Sequence, residues 1–198
     1  MKIFIRVTNI CGKANTGCRL DLHEIFWNTL YDVLEDRVYK PKNFSALIAR
    51  YKTTRIRFLI FNSGIIIITG AKSAENVYEA VHDLIFQLHL IGPYEVLYLP
   101  IKITNICGSM RLGSGIDLYK LAKAKSDCAE YHPELYISLH YTCKVGERLK
   151  KFTVTHKGRI FSTGFKSIEE MEKGFKIIYE EILPHLKHSR KDIELRKF

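Results

Sequence analysis

Arg6-Val-Thr-Asn-Ile-Cys-Gly12 recurs 96 residues later as Lys102-Ile-Thr-Asn-Ile-Cys-Gly108. At the same spacing Gly17 meets Gly113, Leu20 meets Ile116, and Asp21-Leu22 meets Asp117-Leu118. Tyr39-Lys-Pro41 answers Tyr131-His-Pro133 at a spacing of 92. Gly64 then answers Gly158, and Thr69-Gly-Ala-Lys-Ser73 answers Thr163-Gly-Phe-Lys-Ser167, both at 94. Ordered matches of this kind make the chain a tandem duplication. The period is too long for a solenoid unit, and two copies could not form one. Each copy is therefore a small α+β unit. The expected organisation is a first repeat over residues 1–95, a second over 96–186 and a basic tail over 187–198.

Hydrophobic periodicity sketches the elements of a copy. Residues 2–11 alternate as a strand does. Asp21, with Glu24 three residues on, starts a helix whose face holds Leu22, Ile25, Phe26, Leu30 and Val33. After a turn at Pro41, strands are expected near 44–51, 56–61 and 65–69, with Asn62-Ser63-Gly64 as a hairpin turn. Ser73 caps a long helix with Val77, Ala80, Val81, Leu84, Ile85 and Leu88 on one face. The second copy repeats the plan, with a helix from Asp117, strands near 135–145, 150–155 and 159–163, and a long helix from Ser167 to about Leu186.

Strands Phe58-Leu-Ile-Phe61 and Ile65-Ile-Ile-Ile-Thr69 are apolar on both faces, although an antiparallel sheet normally wets one. Alternation sends Phe58 and Ile60 toward the helix and leaves Leu59 and Phe61 on the other side. That side is either a sandwich or dimer contact or a ligand-binding face. The chain has 198 residues, 31 Lys plus Arg against 21 Asp plus Glu, and a formal charge of +10. This balance suits either a polyanionic partner, nucleic acid ahead of membrane, or a merely basic soluble protein. The five cysteines show no metal-ligand spacing and read as reduced thiols, and no apolar stretch approaches a membrane span. The eight histidines make no metal pattern with carboxylates, and phosphate-loop and nucleophile motifs are lacking, so no enzyme and no cofactor are expected.

The signatures Asn9-Ile-Cys11, Gly17-Cys-Arg-Leu-Asp-Leu22, Tyr39-Lys-Pro-Lys-Asn-Phe44, Leu59-Ile-Phe61, Ser63-Gly64 and Thr69-Gly-Ala-Lys-Ser73 are joined by Asn105-Ile-Cys107 and Tyr131-His-Pro-Glu-Leu135. Together they resemble the core of the TATA-box-binding protein family across nearly the whole chain. The resemblance implies an α+β, pseudo-twofold saddle of two tandem repeats. Its curved ten-stranded antiparallel sheet would have four helices on the convex side and double-stranded DNA in the concave one. It also implies a nuclear transcription initiation factor. The family is itself a reference case of minor-groove kinking by apolar wedges.

Carried over by resemblance, Asn9 and Asn105 read A/T-rich minor-groove edges, with Thr69 and Thr163 as hydroxyl partners. Phe44 and Phe61 match the first pair of wedges, Leu59 and Ile67 the apolar groove contacts, and Arg50 a phosphate contact. Lys72 and Lys166 sit at the loops leaving the sheet. Pro133, Glu134 and Leu135 match the docking motif of general transcription factor IIB, and factor IIA docks along the first repeat. The free protein could also pair with itself through the concave face.

The second repeat departs from the pattern. Tyr136 and Thr155 stand at its wedge positions, and Tyr136 is expected to bury a hydroxyl that needs a partner. Thr153 replaces an apolar contact, and Phe161 puts an aromatic where a small branched residue is usual. Thr142 stands opposite Arg50, while Arg159 keeps a charge that Ile65 loses. Cys11 and Cys107 replace branched apolar residues, and the stretch from Leu30 to Tyr39 is longer than in the family. Helix 74–90 carries Glu75, Glu79 and Asp83 in place of a basic surface. These differences lead to a divergent family member with a weakened second-half grip on DNA. The alternative is an adaptor that docks factors IIA and IIB without reading TATA.

Overall fold

A computed structural model describes residues 2–28, 33–96, 101–186 and 194–196. By packing, the chain divides into one unit of Asn9–Asn105 and another of Met1–Thr8 with Ile106–Phe198.

In chain order the elements that build the first unit are β1 (Lys2–Asn15) from Asn9 onward, α1 (Leu22–Trp27), β2 (Leu34–Val38), β3 (Ala46–Tyr51), β4 (Arg57–Phe61), β5 (Ile65–Ala71) and α2 (Ala74–Ile91). Its strands lie in the order β2-β3-β4-β5-β1, every neighbour antiparallel. The Asp21 carboxylate accepts from the N–H groups of His23 and Glu24, which starts α1. That helix stops at Trp27, short of the expected face, because Asn28 turns to extended backbone. Val33 is buried from the turn before β2, and Leu30 lies outside the described residues.

The strand β2 had no apolar alternation to announce it. Its Glu35, Asp36 and Arg37 sit at a register shift, with Asp36 in the left-handed region at φ 50°. Ser73 accepts from the N–H of Asn76 and caps α2. All six apolar residues expected on its inner face are buried, over Phe58, Ile60, Ile66 and Ile68 of the sheet. Asp83 of this helix takes a 2.5 Å hydrogen bond from the Tyr51 hydroxyl, so one of its three acidic side chains serves the fold.

The second unit follows with β6 (Lys102–Arg111), α3 (Leu118–Ala124), β7 (Ala129–Glu130), β8 (Ser138–Val145), β9 (Arg148–Thr155), β10 (Arg159–Phe165) and α4 (Ile168–Ile182). Its strand order is β6-β10-β9-β8-β7, again antiparallel. The two-residue β7 was not expected. The long helix ends four residues early, where Pro184 shifts the chain into a 3-10 turn over Leu183–His185. Phe152, Phe165 and Phe175 pack ring on ring beneath α4, with centroids 5.5–6.3 Å apart. Beside them the Lys150 ammonium is 6% exposed, 3.0 Å from Glu170 and 4.9 Å from the centre of the Phe165 ring.

Of the expected solvated tail, the described part is a strand instead. β11 (Glu194–Arg196) pairs in parallel with residues 2–4 of β1. The repeat-matched Gly64 and Gly158 both have positive φ, and a Cβ on either would lie about 2 Å from a backbone carbonyl oxygen, 2.2 Å at Gly64 and 2.1 Å at Gly158. Only glycine suits that approach. Among the described residues the two units thus hold ten strands in antiparallel ladders, the short β11 and four α-helices.

Candidate nucleic-acid interface

Pleating carries the helix-facing side chains of the first unit into the core and leaves a second face uncovered by α1 or α2. On that face the register sets Ile48 against Leu59, Leu59 against Ile67 and Ile67 against Lys13. Leu59, Phe61 and Ile65 are half-buried and Ile67 is 36% exposed, whereas Phe58, Ile60, Ile66 and Ile68 are fully buried. At one margin the Phe44 and Phe61 rings meet edge to face, with centroids 6.2 Å apart. Phe44 sits in the turn that closes on the Lys40 carbonyl, two residues before β3 begins, and is 43% exposed.

At the other margin stand Arg50, Arg57 and Thr69, paired across β3, β4 and β5. Here the Asn9 amide is oriented. Its Oδ1 accepts the Gly70 N–H at 2.7 Å, and its Nδ2 donates to Thr69 Oγ1 and Cys11 Sγ, both at 3.3 Å. The amide oxygen is committed, while the NH2 has only a weakly accepting thiol and a hydroxyl at a long 3.3 Å as partners. An amide NH2 donor on this face complements an edge that carries only acceptors, such as an A·T pair in the minor groove.

Arg50 is held by this molecule's own carboxylates. Its Nε lies 2.7 Å from Asp36 and its Nη1 2.7 Å from Glu35, both supplied by β2. Exposed Arg57 and Lys13 share the face and were missed in the sequence. Their parity with Leu59 and Phe61, and with Asn9 and Cys11, was the available signal.

In the second unit the Cys107 thiol lies 3.1 Å from the Thr163 hydroxyl, Sγ to Oγ1; Asn105, at the end of the first unit, is half-buried. Phe161, Thr153 and His140 line up across β10, β9 and β8. Thr155 is spent on its own hairpin, because its hydroxyl accepts the Arg159 N–H and donates to the Arg159 carbonyl, each at 3.0 Å. Tyr136 does not bury its hydroxyl. It is 60% exposed, with its ring 6.0 Å from His140. Pro133, Glu134 and Leu135 form an exposed turn that continues into exposed Ile137. Lys72 and Lys166 are exposed where the chain leaves β5 and β10.

The family model described as "Transcription factor TFIID (or TATA-binding protein, TBP)" matches residues 4–90 and 100–185. The TATA-box-binding protein of Archaeoglobus fulgidus is 30% identical over 179 residues, covering 90% of this chain and 94% of that protein. That of Saccharomyces cerevisiae is 32% identical over 171 residues, covering 86% of this chain and 68% of that one. The chain spans 48–68% of the length of the eukaryotic relatives. A solved structure of Methanococcus jannaschii TBP superposes with a TM-score of 0.76 at 29% identity, covering 90% of this chain and 97% of that one.

Proposed function

The chain belongs to the TATA-binding-protein family of transcription factors, and we propose that it is a divergent general factor that binds promoter DNA through the minor groove. The observation that carries this reading is the uncovered face of residues 9–105. It offers an oriented donor at Asn9, an apolar row of Ile48, Leu59 and Ile67, and the Phe44–Phe61 pair at its margin. On DNA the Asn9 NH2 meets adenine N3 or thymine O2, which are alike in A·T and T·A pairs, so the preference is for A/T content. The apolar row excludes water from a widened groove. Phe44 and Phe61 enter a base step, at a cost of roughly a few kcal/mol in lost stacking that the added contact offsets. Lys13 and Arg57 lie beside the row, where phosphates would run.

The second unit has no matching pair of wedges, since Thr155 is tied into its turn and Tyr136 stands in solvent. Bending is therefore weaker on that side. The exposed turn of Pro133, Glu134 and Leu135 is the docking point for factor IIB, with factor IIA along the first repeat. Together they nucleate a preinitiation complex in the nucleus. The binding of Arg50 by Glu35 and Asp36 favours a second reading, an adaptor that docks these factors without gripping TATA. A footprint and bend assay on a TATA duplex, with and without factors IIA and IIB, separates the two. Protection and a bend with the chain alone are expected, whereas retention of factor IIB with no duplex binding selects the adaptor.

A further inference from the structure

In the unit of residues 1–8 and 106–198, an open cavity of about 430 Å3 is lined by Phe4, Arg6, Ser109, Arg111, Arg159 and Phe161, among others. The β6–β10 register sets Arg111 directly opposite Arg159 and Ser109 opposite Phe161. Like charges facing each other across a ladder destabilise a sheet. Among the described residues no carboxylate lines the cavity to offset them. Nor do Arg6, Arg111 and Arg159 take part in any ion pair among the described residues. The Arg6 Nε donates to Ser109 Oγ at 3.2 Å, which anchors one edge of its guanidinium. All three arginines are exposed, and Phe4 and Phe161 are each 39% exposed.

We propose that this cavity is a phosphodiester clamp, in which Arg6, Arg111 and Arg159 hold neighbouring backbone phosphates of duplex DNA. The inference rests on the DNA-binding reading above and adds how the second unit contributes to it. Guanidinium forks match phosphate oxygens in pairs, and the two phenylalanine rings offer flat apolar walls to the sugars between phosphates. An acidic peptide could answer the charge but has no regular use for those walls. The second unit thus grips by charge where the first grips by shape, and its contact carries no sequence preference of its own.

The test is the salt dependence of binding by the full chain, followed by fluorescence anisotropy on an A/T-rich and a G/C-rich duplex. Each phosphate contact adds about 0.9 to the slope of log K against log salt concentration. Arg6→Gln and Arg111→Gln should each lower that slope by about 1, and the triple variant Arg6→Gln/Arg111→Gln/Arg159→Gln by about 3, equally on both duplexes. Arg111→Lys should keep the slope. Cooperative melting at or above the wild-type temperature, as relief of the Arg111–Arg159 repulsion predicts, shows that each variant is folded. If the wild-type chain binds and the triple variant keeps its slope, the clamp is wrong and the DNA reading stands. If the wild-type chain binds neither duplex even at low salt, the DNA reading fails and the clamp with it. A loss of affinity for a glutamate-rich peptide, with duplex binding unaltered, would assign the cavity to an acidic protein segment and overturn the proposal.

Discussion

Phe44→Ala separates the roles of folding and binding at one ring. The side chain is 43% exposed and touches Phe61 edge to face in a turn outside the core. Losing that contact costs the fold about 1 kcal/mol, small against a domain stability of about 5–15 kcal/mol. A phenylalanine presents about 200 Å2, so on the order of 85 Å2 remains for DNA to cover. At about 25 cal/mol per Å2 that burial contributes about 2 kcal/mol, or about thirty-fold in Kd. The variant should therefore melt within a few degrees of the wild type, bind an A/T-rich duplex about thirty-fold more weakly, and bend it less. Anisotropy gives the affinity, and energy transfer between dyes at the duplex ends gives the bend. Wild-type affinity and bend in a folded Phe44→Ala protein would refute the wedge, and the reasoning from exposed ring area with it.

Freeing Arg50 tests the carboxylate clamp on β2. Glu35→Gln/Asp36→Asn should tighten duplex binding and steepen its salt slope by about one phosphate contact, read in the same anisotropy titration; asparagine tolerates the positive φ at position 36. In the second unit Glu170→Gln strands the buried Lys150 ammonium and should cost about 2–4 kcal/mol in urea unfolding, more than Lys150→Met, whose apolar side chain suits the Phe165 wall. Acid should act through two carboxylates. Burial pushes Glu170 up, but hydrogen bonds from the Lys166 N–H and the Lys150 ammonium outweigh it and hold the group below its ordinary range. Glu181 is held low by its hydrogen bond from Lys125. Because both are depressed in the folded state, their contribution is full above an unfolded pKa of about 4.3 and is lost as pH falls through the lower folded values. An unfolding titration of Glu170→Gln/Glu181→Gln should be flatter below about pH 4.3 than the wild type.

The long helices and the two-faced hairpin were legible because one kind of force, apolar burial, sets both their periodicity and their place. Val77 to Leu88 recur at helical spacing, and Phe58/Ile60 separate from Leu59/Phe61 by parity alone. Gly64 and Gly158 were visible because the duplication repeats a backbone need. What could not be read depends on polar partners distant in sequence. β2 is a charged run that becomes a strand because Glu35 and Asp36 find Arg50 across the ladder. Lys150 reads as a surface charge until Glu170 and Phe165 close on it. The end of α1 fell to a single backbone turn at Asn28, which apolar spacing does not report. Arg6 and Arg111 read as ordinary solvated charges along the sequence. Their meaning comes from sharing a cavity with Arg159.

The strip of Ile48, Leu59, Ile67 and Phe44 has an everyday consequence for anyone handling this protein. It is an oily band on a body of charge +10, and in dilute buffer that charge keeps molecules apart. Potassium chloride added to loosen DNA also screens the repulsion between copies. The released protein then meets its own kind more easily just as it lets go of the duplex. Titrations are cleanest at nanomolar protein, where collisions between free molecules are too rare to compete.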